Sequence, residues 1–416
     1  MNNKRTVDKK SGLFKGAEPG QPPPFRYRGL YYITHIDNLP SILKNGILSH
    51  NEIEKQGIKN YTPIYNKEVI NRRKSIKTPD GKTLWDYANL YLQPRNPMLF
   101  VVKQEFIKDE ISVLSCYRDD SKQIPDAFVT DGNAASDQTE FFPISELDKV
   151  IGNKLKDVYG LEYWNEQNGT KRRMMAEVLI PTKYDSNEIH SILVPTQKVK
   201  EKVEKLIPKS FGEIKVIIEP LTFFESDLIL NLTDNLSLVK GDMFFSGSQT
   251  LTVSVNTQGV MGGGLASRAK YQFPDVYVKY QDVCRNKSLR LGHPVLYKRE
   301  YSLDAELAEE PSSLSNPNKF TWFLLFATKD NWRKPASKDG IIKGLEWLVE
   351  NYESEGIKSL AIPALGCGLG WLEWAEIGPI LCQYLSKLKI PVKLYIPAER
   401  PIPPEQLTKE FLLSTK

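Results

Sequence analysis

"SVNTQGVMGGGLASRAKYQFPDVYVKY" occupies residues 254–280. Its glycines Gly259, Gly262, Gly263 and Gly264 separate an apolar run of strand character, LTVSVN, from a run with helical spacing, GLASRAKYQF. A strand, a glycine loop and a helix in that order aim backbone N–H groups and a helix N-terminus at one point, which is how a pyrophosphate is held. Glycine serves where the backbone must approach a ligand closely or take positive φ. The same order recurs in "KSLAIPALGCGLGWLEWAEIGPIL" (358–381), where GCGLG follows a strand and precedes a helix. Two such loops at the carboxyl ends of strands in one sheet face each other across the crevice where α/β folds take ligands. No GK[ST] follows either loop, and no acidic residue ends a clear next strand at dinucleotide spacing. Neither loop is therefore a Walker motif, and a classical dinucleotide-binding Rossmann site fits poorly.

Outward from these loops, "TWFLLFAT" and "VKLYIP" read as further strands and "SKDGIIKGLEWLVENYESEG" as a helix, the alternation of a covered, largely parallel sheet. Before Glu225 the texture differs. Leu30–Ile33 predicts a strand, followed by a polar turn and a helix with Leu39, Ile42 and Leu43 on one face, ended by Asn45–Gly46. "MAEVLIP" (175–181) and "IKVIIEPLTFF" (214–224) predict strands, while Asp119–Thr139 and Asn165–Arg173 read as long polar surface loops. A chain of 416 residues exceeds what one core usually holds, so two domains are expected, with their junction near 222–238. A net charge of +5 favours polyanionic partners only slightly. Cys116, Cys284, Cys367 and Cys382 are scattered without a CxxC pair, which suggests neither a disulfide scaffold nor a metal site. No apolar run approaches 18 residues, so a soluble cytoplasmic protein without membrane contact is expected.

"LVKGDM", "VNTQGVMGGGLASRAKYQFPDVYVKYQDVC", "LLFATKDNWRKPASKDGIIKGLEWLVENY" and "LAIPALGCGLGWLEWAEIGPIL" resemble, over about 235–398, the macrodomain of DarG, an antitoxin that removes ADP-ribose from DNA. The resemblance implies a three-layer α/β/α fold that binds ADP-ribose. It implies that Asn256 meets the distal ribose and that Lys270 is catalytic. The diphosphate cradle it implies comprises Gly259, Val260, Met261, Gly262 and Gly264 with Gly366, Cys367, Gly368 and Gly370. The chemistry expected of such a lysine is nucleophilic attack on an electrophilic anomeric carbon, by an amine that a partly desolvated pocket makes less basic.

The first half has its own resemblance. "RGLYYITHIDNLPSILKNGILSHNE", "NRRKSIKTPDGKTLWDYANLYLQPRNPMLF", "FVTDGNAAS" and "RRMMAEVLIP" look like DarT, a toxin that ADP-ribosylates single-stranded DNA with NAD as substrate. This implies an ADP-ribosyltransferase fold of split mixed sheets with helices. It makes Glu177 the catalytic glutamate and places the catalytic arginine in the Arg72–Arg73 pair, either one. Tyr32, Ile33, Thr34, His35 and Asn38 match the NAD-binding segment, with Tyr32 standing where the family carries a histidine. A carboxylate at Glu177 would stabilise the oxocarbenium-like ribose left by nicotinamide. "NRRKSIK" beside Trp85, Tyr87, Tyr91 and Arg95 supplies the charge and aromatic rings that single-stranded DNA needs.

The expected organisation is an α/β and α+β chain of two domains. A tail (1–25) precedes a DarT-like transferase (26–225), a linker (226–238), a DarG-like macrodomain (239–400) and a C-terminal tail (401–416), in a monomer. Two functions fit. One is a fusion that writes ADP-ribose on DNA and erases it; the other is a transferase fused to a macrodomain that binds ADP-ribose without cleaving it.

Overall fold

The structure is a computed structural model that describes residues 29–64, 72–105, 110–118, 120–165, 168–208, 211, 214–299, 321–397 and 401–414. The expected N-terminal tail lies outside the described residues.

In the first half, β1 (Leu30–His35), β3 (Tyr87–Tyr91), β4 (Ile111–Cys116), β5 (Phe128–Thr130), β6 (Phe141–Pro143), β7 (Glu177–Pro181), β9 (Ile189–Val194) and β10 (Lys215–Ile218) form one sheet, ordered β10-β9-β4-β1-β3-β7-β5-β6. Pairing is antiparallel except between β9 and β10. Between β1 and β3 the ladder narrows to one pair, Tyr31 opposite Tyr91, so the sheet opens into two halves at that seam. β2 (Ile47–Leu48) and β8 (Lys183–Tyr184) pair separately. The helix Leu39–Asn45 ends at Gly46, whose φ of 87° is open to glycine and whose added Cβ would strike the Tyr184 carbonyl.

The second sheet orders β11 (Asp227–Asn231), β12 (Leu236–Lys240), β17 (Val392–Tyr395), β16 (Leu360–Pro363), β13 (Thr250–Asn256), β15 (Trp322–Lys329) and β14 (Val295–Tyr297), with parallel pairing inside and antiparallel edges. β15 and β16 are near-continuous apolar runs because both faces are covered, while β13 alternates Leu251, Val253 and Val255 with the buried hydroxyls of Thr250 and Thr252. On one face Ala269, Val276 and Tyr280 pack down from the helices Gly264–Gln272 and Pro274–Arg285, with Phe273 from the junction between them. On the other, Ile341, Leu345, Ile377 and Leu381 pack down from Lys338–Asn351 and Trp374–Leu385. The result is three layers, α/β/α.

Several stretches differ from their sequence reading. Residues 226–238, expected as a linker, hold β11 and the start of β12, an edge hairpin of the second sheet. The expected C-terminal tail docks a short helix, Lys409–Leu412, that buries Leu412 in the second core. Asp119–Thr139 is not a surface loop over its length, since it contains β5 and buries Ala134 and Ala135. Its polar residues are satisfied internally: the Thr130 hydroxyl accepts from the Glu177 amide, and Asp131 pairs with Arg172 at 3.0 Å. In the Asn165–Arg173 stretch the chain turns into the helix Thr170–Met174. The run from 214 to 224 is a strand only to Ile218, after which a turn delivers Phe223 and Phe224 to the core.

The halves share a packed face. Phe245, from the turn after β12, joins the first core against Phe100, Phe224 and Trp164, with ring centroids 4.9, 4.6 and 5.3 Å away. Asp242 takes Arg95 of the first half at 3.7 Å and Arg268 of the second. Asn165 donates to the Tyr271 carbonyl.

Candidate active sites

Glu177 opens β7 directly opposite Tyr91 of β3, at the seam where the first sheet opens, and is 0% exposed. An isolated carboxylate at such a position would be costly, and this one is fully engaged. Arg73 donates to both of its oxygens, at 3.1 and 2.8 Å, and the Ala134 amide donates to Oε1 at 3.0 Å. Burial alone would weaken the charge on Arg73, but the Glu177 carboxylate reverses this and its pKa is raised. Arg72 instead reaches Asp137, an exposed residue, at 3.3 Å. The pair left open in the sequence therefore separates: Arg73 faces Glu177, and the half-buried Arg72 faces Asp137. Around them burial raises the Tyr32 phenol to about 12, with Tyr61 adding to the shift. The Tyr91 phenol is also raised, by burial and then by Glu177. His50 is lowered to about 4 by burial and by the charge of Arg73. Its ring stacks on Trp85 at 4.9 Å.

The segment expected to meet NAD runs along β1 into the following turn. Ile33 is core. His35 Nε2 lies 3.1 Å from a Glu110 carboxylate oxygen, and its Nδ1 accepts from the Asp37 amide. Asn38 donates to Thr34 Oγ1 and to the Thr62 carbonyl, and accepts from the Thr62 amide. Thr34, His35 and Asn38 thus shape the rim of the seam by fixing the chain around it. The surface expected for single-stranded DNA is corrected. Trp85, Tyr87 and Arg95 are buried, because rings this large contribute more in the core. Tyr87 donates to Asp80 at 2.6 Å, and Arg95 lies over Phe224 in the face between the halves. Lys74, 4.3 Å over Trp85, stays exposed at the border.

In the second half the two glycine loops meet as expected. A Cβ at Gly263 would lie 2.9 Å from Leu369 Cδ1 of the opposite loop. Gly262 and Gly368 leave open space, whereas Gly370 packs so tightly that a Cβ would lie 2.4 Å from the Gly366 carbonyl oxygen. Gly259, Gly264 and Gly366 take φ of 77°, 58° and 81°. Val260 is exposed at the mouth, while Met261 and Cys367 are buried.

Asn256 ends β13, but its amide group turns into its own loop. Nδ2 donates to the Val260 carbonyl at 2.7 Å, Oδ1 accepts from the Gln258 amide at 2.9 Å, and the Tyr280 hydroxyl lies 2.9 Å from Oδ1. In this arrangement the side chain braces the first glycine loop. Lys270 departs from expectation. It is exposed, with Nζ 4.1 Å from the Tyr277 ring centroid. The lysine that meets the stated condition is Lys329, which sequence reading missed. It ends β15 opposite Asn256, is 9% exposed, and donates to the Leu369 carbonyl at 2.7 Å between the loops. Burial lowers its pKa. The available signal was a lone cation closing the apolar run WFLLFAT at the loop end of the sheet.

Comparison with known proteins bears on both halves. Residues 31–224 match the family model described as "ssDNA thymidine ADP-ribosyltransferase, DarT". A DNA ADP-ribosyl glycohydrolase of Thermus aquaticus is 31% identical over 40% of this chain and 42% of that protein. The solved structure of Thermosipho africanus DarTG in complex with ADP-ribose superposes with a TM-score of 0.82 at 49% identity, covering 93% of this chain and all of that one. The DNA ADP-ribosyl transferase–DNA ADP-ribosyl glycohydrolase fusion protein of Thermosipho africanus is 51% identical over 94% of this chain and 99% of its own length. Matched along nearly the whole of both chains, this chain belongs to the family of DNA ADP-ribosyl transferase–DNA ADP-ribosyl glycohydrolase fusion proteins.

Proposed function

We infer that the chain writes ADP-ribose onto DNA with its first half and erases it with its second. The transferase takes ADP-ribose from NAD, and its acceptor is single-stranded DNA, at thymidine. The macrodomain binds ADP-ribose and hydrolyses its bond to DNA. The observation that carries the first reaction is the buried Arg73–Glu177 pair at the seam. As the bond from ribose to nicotinamide breaks, nicotinamide leaves with the electron pair and the ribose carbon becomes positive. Glu177, held in place by Arg73 and the Ala134 amide, is the nearby negative charge that stabilises it. The thymidine base then attacks that carbon and loses a proton.

For the second reaction the geometry favours Lys329 over Lys270. An amine whose pKa is lowered spends more time neutral, and a neutral amine between the diphosphate loops can attack the anomeric carbon. The base leaves with the bonding electrons and takes up a proton; water then releases ADP-ribose and restores the amine.

No helix among the described residues is long and apolar enough to cross a membrane, and the proposed setting is a monomer in the cytoplasm. Radiolabelled NAD offered with single-stranded DNA, duplex DNA, RNA and protein tests the reading. Label should enter single-stranded DNA and leave again once NAD is removed. Label found only on protein or RNA overturns the acceptor. Label that enters DNA and never leaves favours a macrodomain that binds without cleaving.

A further inference from the structure

Three loops rim the mouth of the macrodomain crevice, and hydrogen bonds lace them together. Thr257 Oγ1 donates to the Asp330 carbonyl at 3.1 Å, and the Ala336 amide donates to the Gly370 carbonyl at 2.9 Å. On this rim stand four large apolar side chains that the core does not use. Trp371 is 59% exposed, Trp332 48% and Leu369 65%, with Val260 beside them on the first loop. A rim of this kind marks a contact surface.

Trp371 carries a second signal. Its φ is 64°, in the left-handed region where a bulky side chain is strained, and packing gives no return for the strain because the indole points outward. Trp332 has a cation stacked on it, the Arg333 guanidinium 4.5 Å from its ring centroid, and Lys334 follows. Exposed indoles interleaved with guanidinium and ammonium groups match the chemistry of an unpaired nucleic acid strand, whose bases stack while its phosphates seek positive charge. We propose that Trp371 and Trp332 stack the nucleobases flanking the modified thymidine, so that the macrodomain selects an ADP-ribosylated single strand over ADP-ribose on other carriers. The inference rests on the glycohydrolase reading of this same crevice.

The test uses the full chain without NAD, so that only removal proceeds. Substrates are an ADP-ribosylated single-stranded oligonucleotide and the ADP-ribosylated thymidine nucleoside alone. Trp371→Gly, which also relieves the backbone, and Trp332→Ala should each lower the ratio of kcat/KM on oligonucleotide to kcat/KM on nucleoside about tenfold, chiefly through KM, as loss of one stacked base does. An unchanged ratio overturns the proposal, whether both rates hold or both fall together. A shift in sedimentation velocity with the ratio unmoved would assign the rim to a second copy of the chain and overturn it also. Release from neither substrate by the unvaried chain would overturn the glycohydrolase reading itself.

Discussion

Glu177 and Arg73 form a unit in which each removes the cost of burying the other, and the two consequences of breaking it separate by choice of substitution. Glu177→Gln keeps the shape but removes the charge and turns one of the two oxygens that accept from Arg73 into a donor, so transfer should fall by about two to three orders of magnitude in a fold that is weakened but persists. Arg73→Ala should lose transfer and also destabilise the fold, since it strands a buried carboxylate at about 3–5 kcal/mol. Arg72→Ala should stay within a few-fold on both counts. Initial rates with labelled NAD, together with denaturant unfolding, read all three; equal losses at Arg72 and Arg73 would dissolve the distinction. The same logic applies to the lysines. Lys329→Ala should keep ADP-ribose binding within a few-fold and abolish release from modified DNA, whereas Lys270→Ala should remove at most its stacking on Tyr277. The pH dependence has a definite sign. The neutral amine is the nucleophile, and a lowered folded-state pKa brings it forward, so the rate of removal should rise with pH along a limb lying below the ordinary lysine value of 10.5. A flat profile would count against Lys329.

At the scale of elements, the glycine loops allow ligand contact to be separated from packing. Gly262 and Gly368 have room for a side chain inside the protein, so Gly262→Val or Gly368→Val should fold normally and still weaken ADP-ribose in calorimetric titration, because the new atoms occupy ligand space. Gly370→Ala should instead damage the loop itself, with its Cβ driven onto the Gly366 carbonyl. Unimpaired binding by both valine variants would remove the loops from the diphosphate. These loops were legible in the sequence because each follows a short strand, β13 with Leu251, Val253 and Val255 and β16 with Leu360, Ala361 and Ile362, and each is dense in glycine before the next helix. β11 was not legible. As an edge strand it leaves Leu228 exposed and reads as a linker. Residues 128–136 misled for the opposite reason: polarity marks a surface loop only when the polar groups find water, and here Thr130, Asp131 and Asn133 find one another's neighbours around Glu177. Lys270 and Lys329 look alike in sequence because burial, which separates them, is set by the opposite glycine loop.

For the whole molecule, joining writer and eraser in one chain makes each copy of the toxin-like half arrive with its own remedy. Lys329→Ala should therefore poison cells that tolerate the unvaried chain, and adding Glu177→Gln to it should restore growth. Harmless expression of the single variant, with its transferase verified active, would break this coupling. The shared face should also make the halves unfold together. Asp242 accepts from Arg268, lies 3.7 Å from Arg95, and caps the turn that delivers Phe245 to the first core. Asp242→Ala would leave two partly buried guanidinium groups facing each other without their anion, a loss on the order of 3–5 kcal/mol concentrated where the domains touch. Scanning calorimetry of the unvaried chain should give one cooperative transition, and the variant should resolve two, since each half keeps its own sheet and core. The segment leaving this face at Asn165 runs through the Thr170–Met174 helix, whose Arg172 holds Asp131, and into Glu177. Loosening the face should consequently slow transfer as well as split the melt. A variant that melts in one step with unchanged transfer would mean that the two halves are tethered by sequence alone.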